Sequence, residues 1–284
     1  MVAASGLLAL MALLVKLCAE IPTQEIVFVR SLVNVALTVA LARHFRVSLV
    51  GKHRLSLFLR GIFGYGGLSL YFYSISLMPL ADAVVIQNAA PLIVALLAPV
   101  ALREPASWRV LALSGIGLLG VAIIVHPTGE VGLLAGLAAL VGAVMAACAY
   151  LTISAIGSEE HPLTVVLYFP MISVVFSAVP TARAFVWPDL RQGLLLLGIG
   201  VTTTVAQICT TMALQRGRAV VVTTAAYTTV IFAALLGLLA LGVVPEPRTI
   251  VGSVIVIGAA LLVVRARPAI PSVVTLREAS ETLR

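Results

Sequence analysis

The sequence contains few charged residues. They make up 10% of the 284 residues, whereas soluble domains carry about 25%. Hydrophobic residues make up 61% of the chain, and the mean hydropathy is +1.16. A soluble fold of this length cannot bury so much apolar surface, but a lipid bilayer solvates it. The composition therefore excludes a soluble domain and predicts a protein embedded in a membrane.

Cysteine is scarce, and catalytic motifs are missing. Cys18, Cys148 and Cys209 lie far apart within apolar stretches, and none belongs to a CxxC pair. This spacing indicates neither a disulfide framework nor a metal site, so we expect free thiols and no metal or cofactor. The sequence has neither an HExxH zinc motif nor a GxSxG nucleophile elbow. These absences argue against an enzyme.

The apolar residues form ten runs separated by short gaps. A spanning helix needs about 20 mostly apolar residues. Backbone groups in hydrocarbon must be satisfied internally, so helices are predicted for runs of this length. The predicted spans are 1–19, 24–42, 61–78, 81–102, 110–125, 131–154, 163–182, 192–214, 219–243 and 249–264.

Basic residues are concentrated in alternate gaps. If both termini lie in the cytoplasm, thirteen of the 18 Lys and Arg residues fall in cytoplasmic segments and three fall outside. The gap between spans two and three carries the largest group, from Arg43 to Arg60. This bias predicts an even number of spans and cytoplasmic termini. It also accounts for the net charge of +7 without a nucleic-acid partner.

The chain repeats itself after a shift of 136 residues. At that shift Ala83-Val84-Val85 coincides with Ala219-Val220-Val221, and Ala89-Ala90 coincides with Ala225-Ala226. Five spans per half is an odd number, so the halves must be inverted, an arrangement typical of secondary carriers. We therefore predict an all-α polytopic membrane protein whose ten transmembrane helices form two inverted five-helix repeats. The repeats are residues 1–127 and 128–265, followed by a cytoplasmic tail, 266–284.

Polar side chains within the apolar spans indicate a site. Thr203 and Gln207 in span eight share one helical face. In span four, Asn88 precedes Pro91, which frees a backbone carbonyl and predicts a kink. Polar stripes in apolar helices face other helices or water rather than lipid. A solute site and simple interhelical hydrogen bonding both fit these patterns.

Lys16 and Arg30 are the basic residues inside the predicted spans. A charge at the bilayer centre costs about 3 kcal/mol on insertion scales. Each side chain therefore either reaches the interface and pairs with Glu20 or Glu25, or serves as a cationic anchor for an anionic solute. Nearby, Gly61, Gly64, Gly66 and Gly67 predict a close helix-packing surface in span three.

Several stretches resemble one family. Tyr73–Ala83, followed by Asn88–Pro91, resembles the passage between the third and fourth helices of the EamA family, in the drug/metabolite transporter superfamily. Further motifs resemble its opening helices and the ends of its two repeats: Val15-Lys16, Val29-Arg30-Ser31, Glu104-Pro105, Trp108-Arg109, Tyr227 and Glu246-Pro247. The resemblance covers about residues 1–265.

The resemblance implies a secondary transporter in a bacterial cytoplasmic (inner) membrane, moving a small organic metabolite by alternating access. Its cavity is expected between spans one, three, four, six, eight and nine. Lys16 is expected to meet an anionic group of the solute. Asn88, Gln207 and Tyr227 are expected to hydrogen-bond the solute, and Tyr65 and Tyr71 to line the wall. The implied partners are a small solute and the bilayer.

Acidic residues are absent from the depth of the spans, since Asp82 stands only at the start of span four. Proton-coupled exporters of cationic drugs generally need a buried carboxylate. An amino-acid-like, anionic or amphoteric solute therefore fits better. An exporter of cationic drugs, a channel and a non-transporting structural membrane protein stay open as alternatives.

Overall fold

A computed structural model describes residues 1–102, 108–124, 130–242 and 246–266, and this part of the chain contains helices and no strands. The predicted tail lies outside the described residues except for Ala266, and so does Glu104-Pro105. The helices are α1 (Val2–Leu17), α2 (Thr23–His44), α3 (Arg54–Leu77), α4 (Leu80–Gln87), α5 (Ala90–Ala101), α6 (Trp108–Ile124), α7 (Glu130–Ile156), α8 (Pro162–Arg183), α9 (Leu190–Arg216), α10 (Ala219–Thr224), α11 (Thr228–Leu241) and α12 (Pro247–Ala266).

Seven helical segments in the described residues are long and apolar enough to cross a membrane. They are Thr23–His44, Arg54–Leu77, Asp82–Ala101, Gly132–Glu159, Pro162–Arg183, Leu190–Arg216 and Ala219–Leu241. Three shorter apolar helices accompany them, Val2–Leu17, Trp108–Val121 and Pro247–Val263. Large apolar side chains such as Val175 and Leu239 are exposed, as lipid-facing residues are. The predicted all-helical, multi-pass class is thus confirmed.

The helices are held together by small residues at their contacts. A Cβ atom at Gly67 of α3 would lie 3.0 Å from the carbonyl oxygen of Gly142 in α7, so these backbones touch. Ala139, Ala143 and Ala147 recur every four residues on α7 and are fully buried. Without a side chain between them, helices in lipid gain close van der Waals contact. The predicted close-packing surface of α3 is confirmed.

Two spanning segments are interrupted midway. Between α4 and α5, Asn88 leaves the helical conformation and its Nδ2 donates to the Val84 carbonyl at 2.7 Å. Pro91 follows at the start of α5 and has no N–H to donate. The second break is a 3₁₀ turn, Ala225–Tyr227, which separates α10 from α11. The 136-residue shift places Asn88 on Thr224, the last residue of α10.

The boundary of the third helix differs from the prediction. α3 begins at Arg54, seven residues before the predicted start at residue 61. Arg60, predicted in a cytoplasmic gap, is a buried residue of α3 that is only 2% exposed. It lies inside because its guanidinium packs against Phe169 and hydrogen-bonds Gln207. Arg43 and Arg46 remain exposed at that end, so the charge bias persists.

Candidate functional site

A cavity of about 840 Å³, its open mouth included, lies at the level of the two helix interruptions. Its wall is built by α1, α3, α7, α8, α9 and both interrupted segments. The residues that line it are Leu8, Met11, Arg60, Gly64, Gly67, Leu68, Tyr71, Gln87, Asn88, Ala90, Pro91, Ala146, Ala149, Tyr150, Phe169, Thr203, Gln207, Ala226 and Thr229. All six spans expected to surround the cavity do so, and α8 adds Phe169.

Arg60 supplies the positive charge of the cavity wall. Its Nη2 donates to Gln207 Oε1 at 3.0 Å, and its guanidinium carbon lies 4.7 Å from the centroid of the Phe169 ring. A charged hydrogen bond contributes about 1.5–3 kcal/mol and a cation–π contact about 0.5–2 kcal/mol. Burying an ion costs several kcal/mol. These contacts are of the same order as that cost, and within the wall the guanidinium is paired with no carboxylate.

Uncharged polar groups complete the wall. Gln87 Oε1 and Thr229 Oγ1 are buried without a hydrogen-bond partner among the described residues. The phenol rings of Tyr71 and Tyr150 also line the cavity. Among the described wall residues there is no Asp or Glu. The wall therefore offers one cation together with amides and hydroxyls, and it opposes a cationic solute by Coulomb repulsion.

The structure brings together three of the six side chains that we expected at the site. Tyr71, Asn88 and Gln207 line the cavity, on three different helical segments. Gln207 also holds Arg60. Their shared position fits the expectation, and their contact with a solute stays a prediction.

The other three residues lie outside the cavity wall. Lys16 Nζ donates to the carbonyls of Ile75 (2.8 Å) and Met78 (2.9 Å), so it caps the carboxyl end of α3. Tyr65 donates its hydroxyl to Gln24 at 3.1 Å and stacks on Phe176 with ring centroids 5.5 Å apart. Tyr227 is 4% exposed, and its hydroxyl has no partner among the described residues, although its neighbours Ala226 and Thr229 line the cavity.

The sequence contained a signal for Arg60 that the hydropathy pattern obscured. Arg60, Gly64, Gly67 and Tyr71 occur at positions i, i+4, i+7 and i+11, which lie on one helical face. All four line the cavity. Following this face toward the amino terminus would have extended the predicted helix to Arg60.

Arg30 lies behind the wall. It is fully buried, and its Nε, Nη1 and Nη2 have no hydrogen-bond partner among the described residues. Its guanidinium carbon lies 5.1 Å from the Phe169 ring centroid and 5.9 Å from that of Phe72. The Phe169 ring therefore contacts both Arg30 and Arg60. The alternative of pairing with Glu25 is not realised, because Glu25 Oε2 accepts from the backbone N–H of Val186.

At one end of the bundle, the loop between α2 and α3, residues 45–53, is hydrogen-bonded to residues at the start of α8. Oε1 of the buried Glu160 accepts from the backbone N–H of Lys52 and from that of His53 at 2.8 Å. Thr164 Oγ1 donates to the Ser48 carbonyl at 2.8 Å. We call this cluster, Ser48, Lys52, His53, Glu160 and Thr164, the 45–53 gate.

At the opposite end, the loop between α8 and α9, residues 184–189, is hydrogen-bonded to the start of α2. Glu25, at the other end of α2, accepts from the Val186 N–H at 3.0 Å. Gln192 Nε2 donates to Glu20 Oε2 at 3.2 Å. We call this cluster, Glu20, Glu25, Val186 and Gln192, the 184–189 gate. A buried carboxylate thus holds a loop backbone at each end of the bundle.

A cavity with one cation and several uncharged polar groups in its wall, surrounded by apolar helices, is the arrangement expected of a membrane transport protein. The model of the EamA-like transporter family matches residues 1–126 and 133–265, so the chain belongs to that family. As a member it is a secondary transporter of small metabolites, as the sequence predicted.

Individual proteins are similar over most of their length. The pseudopaline exporter of Pseudomonas aeruginosa is 32% identical over 258 residues, which are 90% of this chain and 91% of that protein. A probable transport protein of Saccharomyces cerevisiae is 26% identical over 80% of this chain and 72% of its own length. A crystal structure 18% identical in sequence superposes with a TM-score of 0.70 over 94% of this chain and 98% of that chain, which shows the shared fold.

Proposed function

We propose that this transporter carries a small anionic or amphoteric solute, such as an amino-acid-like metabolite, across the cytoplasmic membrane by alternating access. The observation that carries the proposal is the buried Arg60 in a cavity wall that has no acidic residue among its described members. A carboxylate of the solute would supply the counter-charge. The desolvation of Arg60 is then offset by a charge-assisted hydrogen bond, which is stronger than a neutral one.

The roles of the wall residues follow from their positions. Arg60 is the cationic anchor for the anionic group of the solute, a role that the sequence suggested for Lys16. Gln207 orients its guanidinium. Asn88 hydrogen-bonds the solute, and Tyr71 bounds the space around it. Lys16, Tyr65 and Tyr227 would meet the solute only in another conformation, because their side chains lie outside this cavity wall.

The helix contacts support two inverted five-helix repeats, 1–127 and 128–265. In such a repeat α1 corresponds to α7, α2 to α8 and α3 to α9. The contact of α3 with α7 then corresponds to that of α9 with α1, and both contacts are present. Likewise the contact of α3 with α8 corresponds to that of α9 with α2, and both are present. The matching breaks after α4 and α10 fit the same ten-helix arrangement. With the basic loops inside, both termini lie in the cytoplasm.

Alternating access requires a closure at each end that opens in turn. The inverted repeat relates α2 to α8, and a carboxylate near the start of each holds the opposite loop: Glu25 for 184–189 and Glu160 for 45–53. Arg43 lies in the last turn of α2 and Arg46 lies in the 45–53 loop. Since basic residues favour the cytoplasmic side, this gate is cytoplasmic and the 184–189 gate is external. In this conformation both loops are held by these hydrogen bonds, and each would have to release them when its side opens.

The alternative functions make different predictions. The positive wall disfavours an exporter of cationic drugs, because Arg60 would repel the substrate. A channel would show non-saturable flux. A structural membrane protein would show no solute binding at the cavity.

The proposal is tested by thermal shift and counterflow with purified full-length protein. Amino acids, monocarboxylates and size-matched amines are compared on wild type, Arg60→Gln and the control Arg43→Gln, whose side chain is exposed. We expect carboxylate-bearing solutes to raise the Tm of wild type and the control but not that of Arg60→Gln. Saturable counterflow in liposomes would support a carrier. Stabilisation by amines alone would refute the proposal.

A further inference from the structure

We propose that Arg30 forms a second anion subsite beside the cavity, so that the preferred solute carries two carboxylates. This inference rests on the proposed function and deepens it, because Arg60 is taken to bind the first carboxylate. The two subsites share one element of the wall, the Phe169 ring.

The N–H donors of the Arg30 guanidinium have no hydrogen-bond acceptor among the described residues. A guanidinium carries five N–H donors, and none of its nitrogens has a hydrogen-bond partner among the described residues. No described carboxylate lies within ion-pair distance of Arg30 or Arg60. Buried polar groups in folded proteins are almost always partnered. An unpaired guanidinium that is fully buried therefore marks a place where an acceptor binds.

The helical face that carries Arg30 is polar and equally short of acceptors. Arg30, Asn34 and Thr38 recur every four residues on α2, and all are fully buried. Asn34 Nδ2 and Thr38 Oγ1 have no partner among the described residues. Asn34 Oδ1 accepts from Thr204 Oγ1 at 3.0 Å, which fixes this face against α9, the helix that carries Gln207. A carboxylate at Arg30 would supply the acceptor that the guanidinium lacks, next to the unpaired Asn34 Nδ2 one turn along the helix.

Phe169 lies between this polar face of α2 and the cavity. It lines the cavity and contacts the guanidinium groups of Arg60 and Arg30, at 4.7 and 5.1 Å from its centroid. The next residue, Pro170, cannot donate the helical hydrogen bond, so α8 is weakened beside the ring. A displacement of Phe169 would expose both cations to one solute.

Two like charges near one ring do not serve packing alone. Cation–π contacts stabilise each guanidinium, yet the two charges also repel one another in a medium of low dielectric constant. If Arg30 were only a packing residue, replacing it by an apolar side chain of similar volume would change the binding of every solute equally. If Arg30 is a subsite, the replacement affects dianions alone.

The test compares dicarboxylates with their half-amides, which have the same shape and one charge less. Succinate, glutarate and adipate, each beside its half-amide, are titrated into purified full-length wild type, Arg30→Met and Arg60→Gln. In wild type we expect the best dicarboxylate to bind about tenfold more tightly than its half-amide. In Arg30→Met the two should bind alike, with the half-amide unchanged. Arg60→Gln should weaken both.

The outcomes separate this inference from the proposed function. Equal wild-type binding of all pairs, still dependent on Arg60, would overturn the second subsite and leave the proposed function intact. Parallel loss of both ligands in Arg30→Met would also overturn it. If Arg30→Met does not fold, Arg30→Lys is used instead, and it must still bind the dicarboxylate more tightly than the half-amide. The comparison of dicarboxylate with half-amide on wild type then tests the second subsite. Arg60-independent binding, or none at all, would refute the proposed function.

Discussion

A single methyl group added at Gly64 tests the geometry of the anion site. A Cβ atom there would lie 2.6 Å from Phe169 Cδ2 and closer still to Arg60 Nη1. Real Cβ atoms do not approach so closely, so the flexible guanidinium must move away. Gly64→Ala should then break the 3.0 Å hydrogen bond from Arg60 to Gln207 and weaken the contact with Phe169. Together these contacts contribute roughly 2–5 kcal/mol to holding the guanidinium in place, of which Gly64→Ala would remove a part.

We expect Gly64→Ala to lower the affinity for a carboxylate solute by roughly one to two orders of magnitude, because about 1.4 kcal/mol corresponds to a tenfold change in the dissociation constant. Overpacking should also destabilise the protein by about 1–3 kcal/mol, against a gain of about 0.5–1 kcal/mol from replacing a helical glycine. The assay is isothermal titration with a carboxylate solute, beside thermal unfolding. Gly115→Ala in α6 is the matched control, because nothing lies within 4 Å of the added Cβ and only the helical gain applies. Wild-type affinity in Gly64→Ala would refute the reasoning.

Three further changes probe separate parts of the structure. Gln207→Ala should insert normally but reduce solute affinity about tenfold, because Arg60 loses its hydrogen-bond partner; unchanged transport kinetics would refute this role. Lys16→Met should lower the free energy of unfolding by about 1–3 kcal/mol, because α3 loses its cap, and should leave solute affinity unaltered. Loss of binding with stability retained would instead make Lys16 the anchor for the anion. Glu160→Gln should loosen the 45–53 gate and increase labelling of a cysteine placed at Ser48 in a cysteine-free background. Glu159 is 69% exposed and contacts only the exposed His53 ring at this gate, so Glu159→Gln should increase labelling much less. Equal labelling in the two variants would contradict the gate.

The extent of each apolar helix was predictable, and its charged ends were less so. Hydrocarbon requires long apolar runs with internal hydrogen bonds, and this signal is local in the sequence. A single charge interrupts the signal, which is why the predicted third span began after Arg60 although α3 begins at Arg54. The kink after Asn88 was predictable because proline cannot donate a hydrogen bond in any context.

The candidate site was only partly predictable from the residues. Tyr71, Asn88 and Gln207 are polar residues in apolar helices, and they line the cavity together. Lys16 is also polar in an apolar helix, yet its partners are carbonyls at the end of α3. Residue type shows that a partner is needed, but it does not say whether that partner is a solute or another helix.

The sequence alone determined a multi-pass helical membrane protein of the EamA-like family, because hydropathy, charge bias and repeat are properties of consecutive residues. Only the tertiary structure decided which cations share the Phe169 ring. Arg30 and Arg60 lie on the consecutive helices α2 and α3, Phe169 lies on α8, and the ring reaches both because small residues let these helices pack closely. Such contacts depend on helix rotation and crossing, which the order of residues within one helix does not encode.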